Sequence, residues 1–294
     1  MKAFSFKKID AFATATSAGN PAAAVYLDSM EAITDPEMQR IAGELKGFVC
    51  EVGFIARIAP DAFKVRYFSA EKEVQFCGHA TIAIMHDLVT HDPGLAALEQ
   101  VLLHTNKGVL AVQNRDGAVF IQAPEPVFTE CRIGPAEICA ALDLPESALD
   151  PEIGTGIVNA GNQTLCLALK TCRDVAGVVP DYRTLLAFCR RHELDVVLVF
   201  SRQAAHPENR LRTRVFAPPF GYLEDPATGS GNAALGYHLQ RCGRWDGSPI
   251  RLEQNADLDH PNIVLLSSMA DAQHGFRVIF GGGAILRIEG RYCL

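Results

Sequence analysis

Several features that would direct a first reading are missing from this chain of 294 residues. No apolar run approaches the roughly 18 residues that span a bilayer as a helix, so a transmembrane helix is excluded. The opening stretch, Met1 to Asp10, lacks the apolar segment of a secretory signal, and a cytoplasmic location is expected. Lys and Arg number 27 against 34 Asp and Glu, a net charge of −7. With no basic block to replace counterions on phosphates, sequence-independent nucleic-acid binding is excluded. No Gly-x-Gly-x-x-Gly follows a strand-like run, so a dinucleotide cofactor has no support. The nine cysteines stand singly, without a Cys-x-x-Cys, which reads as reduced thiols rather than disulfide staples. Cys77, His79 and His86 are close in sequence but match no zinc spacing, so no metal is expected.

What is present is a chain with 48% hydrophobic residues, enough to build a sizeable core, and long enough for about two domains. It also contains itself twice. Ala18-Gly19-Asn20 returns as Ala160-Gly161-Asn162, each ahead of a strand-like run. Arg66-Tyr67-Phe68-Ser69 is echoed by Arg214-Val215-Phe216-Ala217, and Gly78-His79-Ala80-Thr81 by Gly229-Ser230-Gly231-Asn232. Val101-Leu103-Thr105 and Ile250-Leu252-Gln254 then each open a pair of strands, and these four matches in one order predict two similar halves, residues 1–123 and 126–283, with the last strand, 284–294, returning to the first half. Two ordinary α/β domains with coincidental dipeptides are the alternative.

Periodicity predicts strands over Phe4 to Phe12, Val52 to Ile58, Phe63 to Phe68, Leu110 to Gln113 and Val119 to Gln122. Thr34 with Glu37 reads as a capping box opening a helix that ends before Gly47, with a counterpart from Tyr182 to His192. A second helix in each half follows the glycine motif, over Thr81 to Val89 and Ala233 to Arg241. Many strands and few helices indicate an α+β fold, each half a mostly antiparallel sheet rolled around a central helix, the halves related by a pseudo-twofold axis.

Two helices that each open on small residues present backbone N–H groups and a positive dipole end to a ligand. If both N-termini meet in one cleft, a sulfate, phosphate or carboxylate suits it; a plain Gly-rich cap on a core helix is the other reading. Glu51 has no match in the second half, where Val196 takes its register. A carboxylate flanked by Val49, Val52 and Phe54 is costly unless used, and burial would raise its pKa toward neutrality, suiting it to act as both acid and base. A solvated strand-edge glutamate is the plainer possibility. His79 and Asp225 are a candidate polar pair, although either can be a cap or a loop charge. Cys77, just ahead of Gly78, is a candidate thiolate base, but Thr228 stands where a two-thiol racemase needs its partner.

At these residues the chain resembles the phenazine-biosynthesis-like isomerases, a branch of the diaminopimelate-epimerase fold. The likeness is carried by Ile9-Asp10-Ala11-Phe12 with Gly19-Asn20-Pro21-Ala22, by Arg66-Tyr67-Phe68, by Cys77-Gly78-His79-Ala80-Thr81, by Glu224 to Asn232, and by Gly281 to Gly290. The resemblance implies two similar domains with a cofactor-free site between them, and a homodimer. It implies proton transfer at carbon on a small carboxylate-bearing substrate, in the phenazine branch a dihydro-hydroxyanthranilic acid. Glu51 matches the acid/base glutamate; His79 and Asp225 match its polar partners; Gly78, Gly229 and Ser230 match positions around the substrate's acidic group. An epimerase or racemase using Cys77, and a non-catalytic scaffold, are the alternatives. Two departures stand out. Cys50 and Val52 replace the hydroxyl residues usual beside the glutamate, so hydrogen bonding around Glu51 should differ. The family's Gln-Gly appears as Gln254-Asn255.

Overall fold

The computed structural model describes residues 2–115, 117–271 and 275–294. The chain divides into two compact units, residues 1–122 with 281–294, and residues 123–280.

In the first unit β1 (Ala3–Ala11) and β2 (Asn20–Leu27) pair antiparallel. The chain leaves the sheet through α1 (Asp35–Glu44) and returns as β3 (Glu51–Ala59), parallel to β2. β4 (Ala62–Ser69) runs antiparallel to β3, and the two-residue β5 (Glu73–Val74) antiparallel to β4. After α2 (Gly78–His91) and the one-turn α3 (Pro93–Ala96), β6 (Gln100–Thr105) lies parallel to β4. β7 (Gly108–Arg115) and β8 (Ala118–Gln122) continue as a meander.

The second unit opens with β9 (Val127–Thr129) and α4 (Pro135–Leu142), then repeats the scheme. β10 (Gly156–Asn159) is antiparallel to β11 (Gln163–Ala168); α5 (Cys172–Ala176) and α6 (Tyr182–Arg191) lead to β12 (Val196–Ser201), parallel to β11. β13 (Leu211–Phe216) and β14 (Glu224–Asp225) are antiparallel neighbours. After α7 (Gly229–Arg241), β15 (Ile250–Gln254) runs parallel to β13, followed by β16 (Asn262–Asp271) and β17 (Gly275–Gly282). The last strand, β18 (Ala284–Cys293), pairs with β1 of the first unit. The pairings among β1 to β6 recur among β10 to β15, and in each set two are parallel and the others antiparallel.

Strand alternation assigns the faces. Val52, Phe54 and Ala56 of β3 join Met38 and Ile41 of α1 in one buried cluster on the outer face. Glu51, Gly53 and Ile55 point the other way, toward α2. The absence of a side chain at Gly53 lets α2 approach, since a Cβ there would stand 2.3 Å from Cδ1 of Ile84. Within its unit α2 touches β1, β2, β3, β8 and β18, so the sheet curls around it, and α7 touches β10, β11, β12 and β16 in the same way.

The capping box of Thr34 and Glu37 is present, and α6 starts from Asp181 as its N-cap. The two central helices begin earlier than expected from sequence, at Gly78 and Gly229 rather than Thr81 and Ala233. The motif residues take helical geometry and form the first turn, instead of preceding it. The unanticipated α4 starts from Gly134 without a side-chain cap, its N-terminal signals being Pro135 and the acidic Glu137 in the first turn.

The Arg-x-Phe echo has a structural basis. Arg66 grips both oxygens of Glu73 with Nε and Nη2 (2.6 and 2.8 Å) and lies 5.2 Å over the Phe68 ring. Arg214 grips Glu224 alike (2.8 and 2.7 Å), 4.9 Å over Phe216. Each clamp ties its two-residue strand, β5 or β14, against the strand before it, immediately upstream of the central helix.

Candidate active site

The first turn of α2 gathers the chemistry of the first unit. Residue 51 begins β3 on the inner face, beside the N-terminus of α2, and this brings Glu51 to the helix motif. Oε2 of Glu51 lies 3.2 Å from Nε2 of His79, with the two side chains 22% and 13% exposed. Sγ of Cys77, a residue 8% exposed, stands 3.4 Å from Nδ1 and 3.9 Å from Nε2 of the same imidazole. Burial pushes the His79 imidazole down to about 4, so the ring is neutral near pH 7. A neutral ring has one donor and one acceptor nitrogen. The thiol and the carboxylate both approach this ring, and which of its nitrogens carries the proton follows from the tautomer it adopts. The helix start is pinned from below: the Tyr67 hydroxyl meets Oγ1 of Thr81 at 2.5 Å, and Thr81 donates to the Cys77 carbonyl at 2.7 Å.

The surroundings of Glu51 differ from the sequence expectation. Val49, Val52 and Phe54 lie in the cluster against α1, so their side chains are not what shields the glutamate. For the same reason Val52, where the family usually has a hydroxyl residue, points away from Glu51 and cannot alter its hydrogen bonding. Cys50 is exposed.

The counterpart motif in the second unit is a dense polar network. Thr228 Oγ1 donates to the Asp225 carboxylate, and Asp225 is 9% exposed. Gln254 is the centre of the network. Its carbonyl accepts from Thr228 N (2.9 Å) and Asn232 Nδ2 (2.7 Å), while its amide donates to the Asp225 carbonyl (2.9 Å). Ser230 Oγ accepts from Asn162 at 2.9 Å. Asn255, which stands where the family has glycine, keeps a positive φ of 137°, and Nη2 of the buried Arg212 bonds both its carbonyl oxygen (2.7 Å) and its side-chain oxygen (3.0 Å). Gln254 was legible only as the matching half of a motif whose glycine is replaced by Asn255; its role needed β15 placed beside β13.

Register shows what the repeat does not share. Glu51 pairs with Ala22 and Ser69, and Val196, which pairs with Thr164, holds the same place. Asp225 pairs with Val215 as Val74 pairs with Tyr67. Each unit therefore carries one carboxylate where the other carries valine. His79 corresponds to Ser230, and Cys77 to Thr228. The central helices, like α4, also start without a side-chain cap. The side chains of Thr34, Thr171 and Asp181 cap α1, α5 and α6, whereas neither the Cys77 nor the Thr228 side chain caps its helix. The first-turn N–H groups at Gly78 and Gly229 are thus left to other acceptors.

Among the described residues, one group has metal-ligand character: the Glu51, Cys77 and His79 donor atoms all lie within 4.8 Å of one another. His86 is not part of it. No helix among the described residues is long and apolar enough to cross a membrane.

A family model described as phenazine biosynthesis-like protein matches residues 9–290. A trans-2,3-dihydro-3-hydroxyanthranilate isomerase from Pseudomonas fluorescens is 28% identical over 284 residues, covering 94% of this chain and 95% of that protein. A phenazine biosynthesis protein of the same family from Bacillus anthracis superposes with a TM-score of 0.87 at 21% identity, covering all of both chains. A hydroxyproline epimerase from Agrobacterium vitis shares the fold at a TM-score of 0.60 and 13% identity, over 99% of this chain and 93% of that one. With its epimerase-like α+β architecture and a glycine motif opening each central helix, the chain belongs to the phenazine biosynthesis-like protein family and is an isomerase.

Proposed function

We propose that this isomerase moves a proton between carbon positions of a small carboxylate-bearing metabolite, with Glu51 as the acid/base and without an organic cofactor. The observation that carries the reading is the 3.2 Å contact between Glu51 and a neutral His79 at the uncapped start of α2. The Glu51 carboxylate takes a proton from one carbon, the electron pair delocalises into the substrate's conjugated system, and the same carboxyl returns the proton at a second carbon. His79, held neutral beside the carboxylate, does not compete for its proton. Gly78, Gly229 and Ser230 are assigned to the substrate's acidic group, because first-turn N–H groups and a hydroxyl favour an anion. Asp225 is assigned as a polar partner of the substrate. The dihydro-hydroxyanthranilate named for the Pseudomonas fluorescens relative is the first compound to try. A homodimer belongs to the same proposal and is checked by the mass of the protein in solution.

The test is a panel of small carboxylic acids in deuterated water, followed by NMR for exchange of C–H protons. Exchange that disappears in Glu51→Gln supports the assignment. Exchange unchanged in Glu51→Gln but lost in Cys77→Ser moves the base to the thiol, a second reading favoured by the 3.4 Å contact between Cys77 and His79. No exchange on any acid, with ligand still bound, favours the scaffold alternative.

A further inference from the structure

A thiol, an imidazole and a carboxylate meet at the start of α2, and their chemical identity matters as much as their separation. Sγ of Cys77 is 3.9 Å from Nε2 of His79, and Nε2 is 3.2 Å from Oε2 of Glu51. Ligands bonded to one tetrahedral zinc at about 2.0–2.3 Å stand roughly 3.3–3.6 Å apart, so these two distances need to change by a few tenths of an ångström, and the third, which lies within 4.8 Å, by about an ångström at most. Sequence spacing could not show this group, because the third ligand arrives from β3, 26 residues before Cys77.

We propose that Glu51, Cys77 and His79 form a binding site for one thiol-seeking divalent cation such as Zn²⁺, and that occupancy blocks the isomerase. On binding, the Cys77 S–H bond breaks, its proton leaves to solvent, and the sulfur lone pair bonds the metal; no oxidation state changes. Thiolate and carboxylate together balance the two positive charges of the cation. Three protein ligands leave a fourth position for water, the arrangement of open rather than structural zinc sites. Binding stands on ligand identity and geometry alone. Inhibition rests on the proposed role of Glu51, whose oxygen cannot take a substrate proton while it holds the metal.

Cobalt(II) alone is the probe, because its thiolate complexes absorb strongly and Zn²⁺ displaces it. The full chain should bind one equivalent with a thiolate-to-cobalt absorption band. Cys77→Ser should lose that band although the exposed Cys50, Cys242 and Cys293 remain. His79→Gln and Glu51→Gln keep the thiol, so they test the site even if Cys77→Ser fails to fold. Each should bind at least about tenfold more weakly, the lower end of what loss of an outer-shell partner already costs. A band that survives in folded Cys77→Ser, unchanged affinity in both other variants, or no cobalt binding by the unaltered protein overturns the site. Stoichiometric binding with undiminished turnover overturns the inhibition and the Glu51 assignment together, leaving the metal site standing.

Discussion

At the scale of single residues, the site turns on three side chains that β3 and α2 bring together, and their protonation states can be tested. Glu51→Gln keeps shape and polar atoms but cannot carry a proton. Since general acid–base steps contribute about 10²- to 10⁴-fold, turnover should fall by that much while folding and ligand binding persist, as kinetics and calorimetry will show. His79 leaves a different signature. Its imidazole sits near 4 in the folded chain against 6.5 for the unperturbed group, so the folded state binds fewer protons than the unfolded state between those values. Stability from this residue is therefore complete above about pH 6.5 and falls as the pH drops toward 4, by at most about 3 kcal/mol. Urea unfolding at pH 7.5 and pH 5 should show a smaller pH loss in His79→Asn than in the unaltered protein. Equal losses would mean that the ring is not held neutral.

At the scale of elements, the central helices depend on small residues where they meet the sheet. A Cβ at Gly229 would stand 2.2 Å from Cε2 of the buried Phe280, which packs against the start of α7. Alanine in place of glycine gains about 1 kcal/mol of helix propensity, whereas overpacking costs typically 1–3 kcal/mol, so the clash should win. Gly229→Ala is expected to lower the thermal midpoint; a rise would show that the ring moves aside freely. Thr34→Ala, at a surface helix, should cost about 1 kcal/mol through its capping box alone, in chemical denaturation. The contrast separates two kinds of helix start. Side chains close the N-termini of α1, α5 and α6, and no side chain closes those of α2, α4 and α7.

At the scale of the whole molecule, the chain's last strand belongs to its first unit. β18 pairs along the length of β1, and α2 also packs against it. Deleting residues 284–294 would open the edge of β1 and strip one wall from α2 while leaving the second unit's own pairings intact. Hydrogen exchange should therefore accelerate in β1 and β2 but not in β11 to β13. Uniform acceleration would show that the two units unfold as one cooperative body.

Local signals were strong enough for the sequence alone to determine the alternation of strands and helices, the capping box at Thr34, the two glycine motifs and the family. Each depends on neighbours within a few residues or on a repeat visible as text. The register of Glu51 against Val196 was legible for the same reason, since strand period is two and the repeat aligns the strands. The environment of Glu51 was not legible. Flanking residues in a strand point to the opposite face, so Val52 and Phe54 went to α1 while His79 and Cys77, far along the chain, came to the carboxylate. Only tertiary structure made Gln254 the centre of a polar network, made Asn255 adopt a glycine-like φ beside Arg212, and assembled a thiol, an imidazole and a carboxylate at one helix start. The physical reason is common to all three: side-chain direction and long-range pairing are set when sheets curl around a helix, and neither is written in the spacing of residues along the chain.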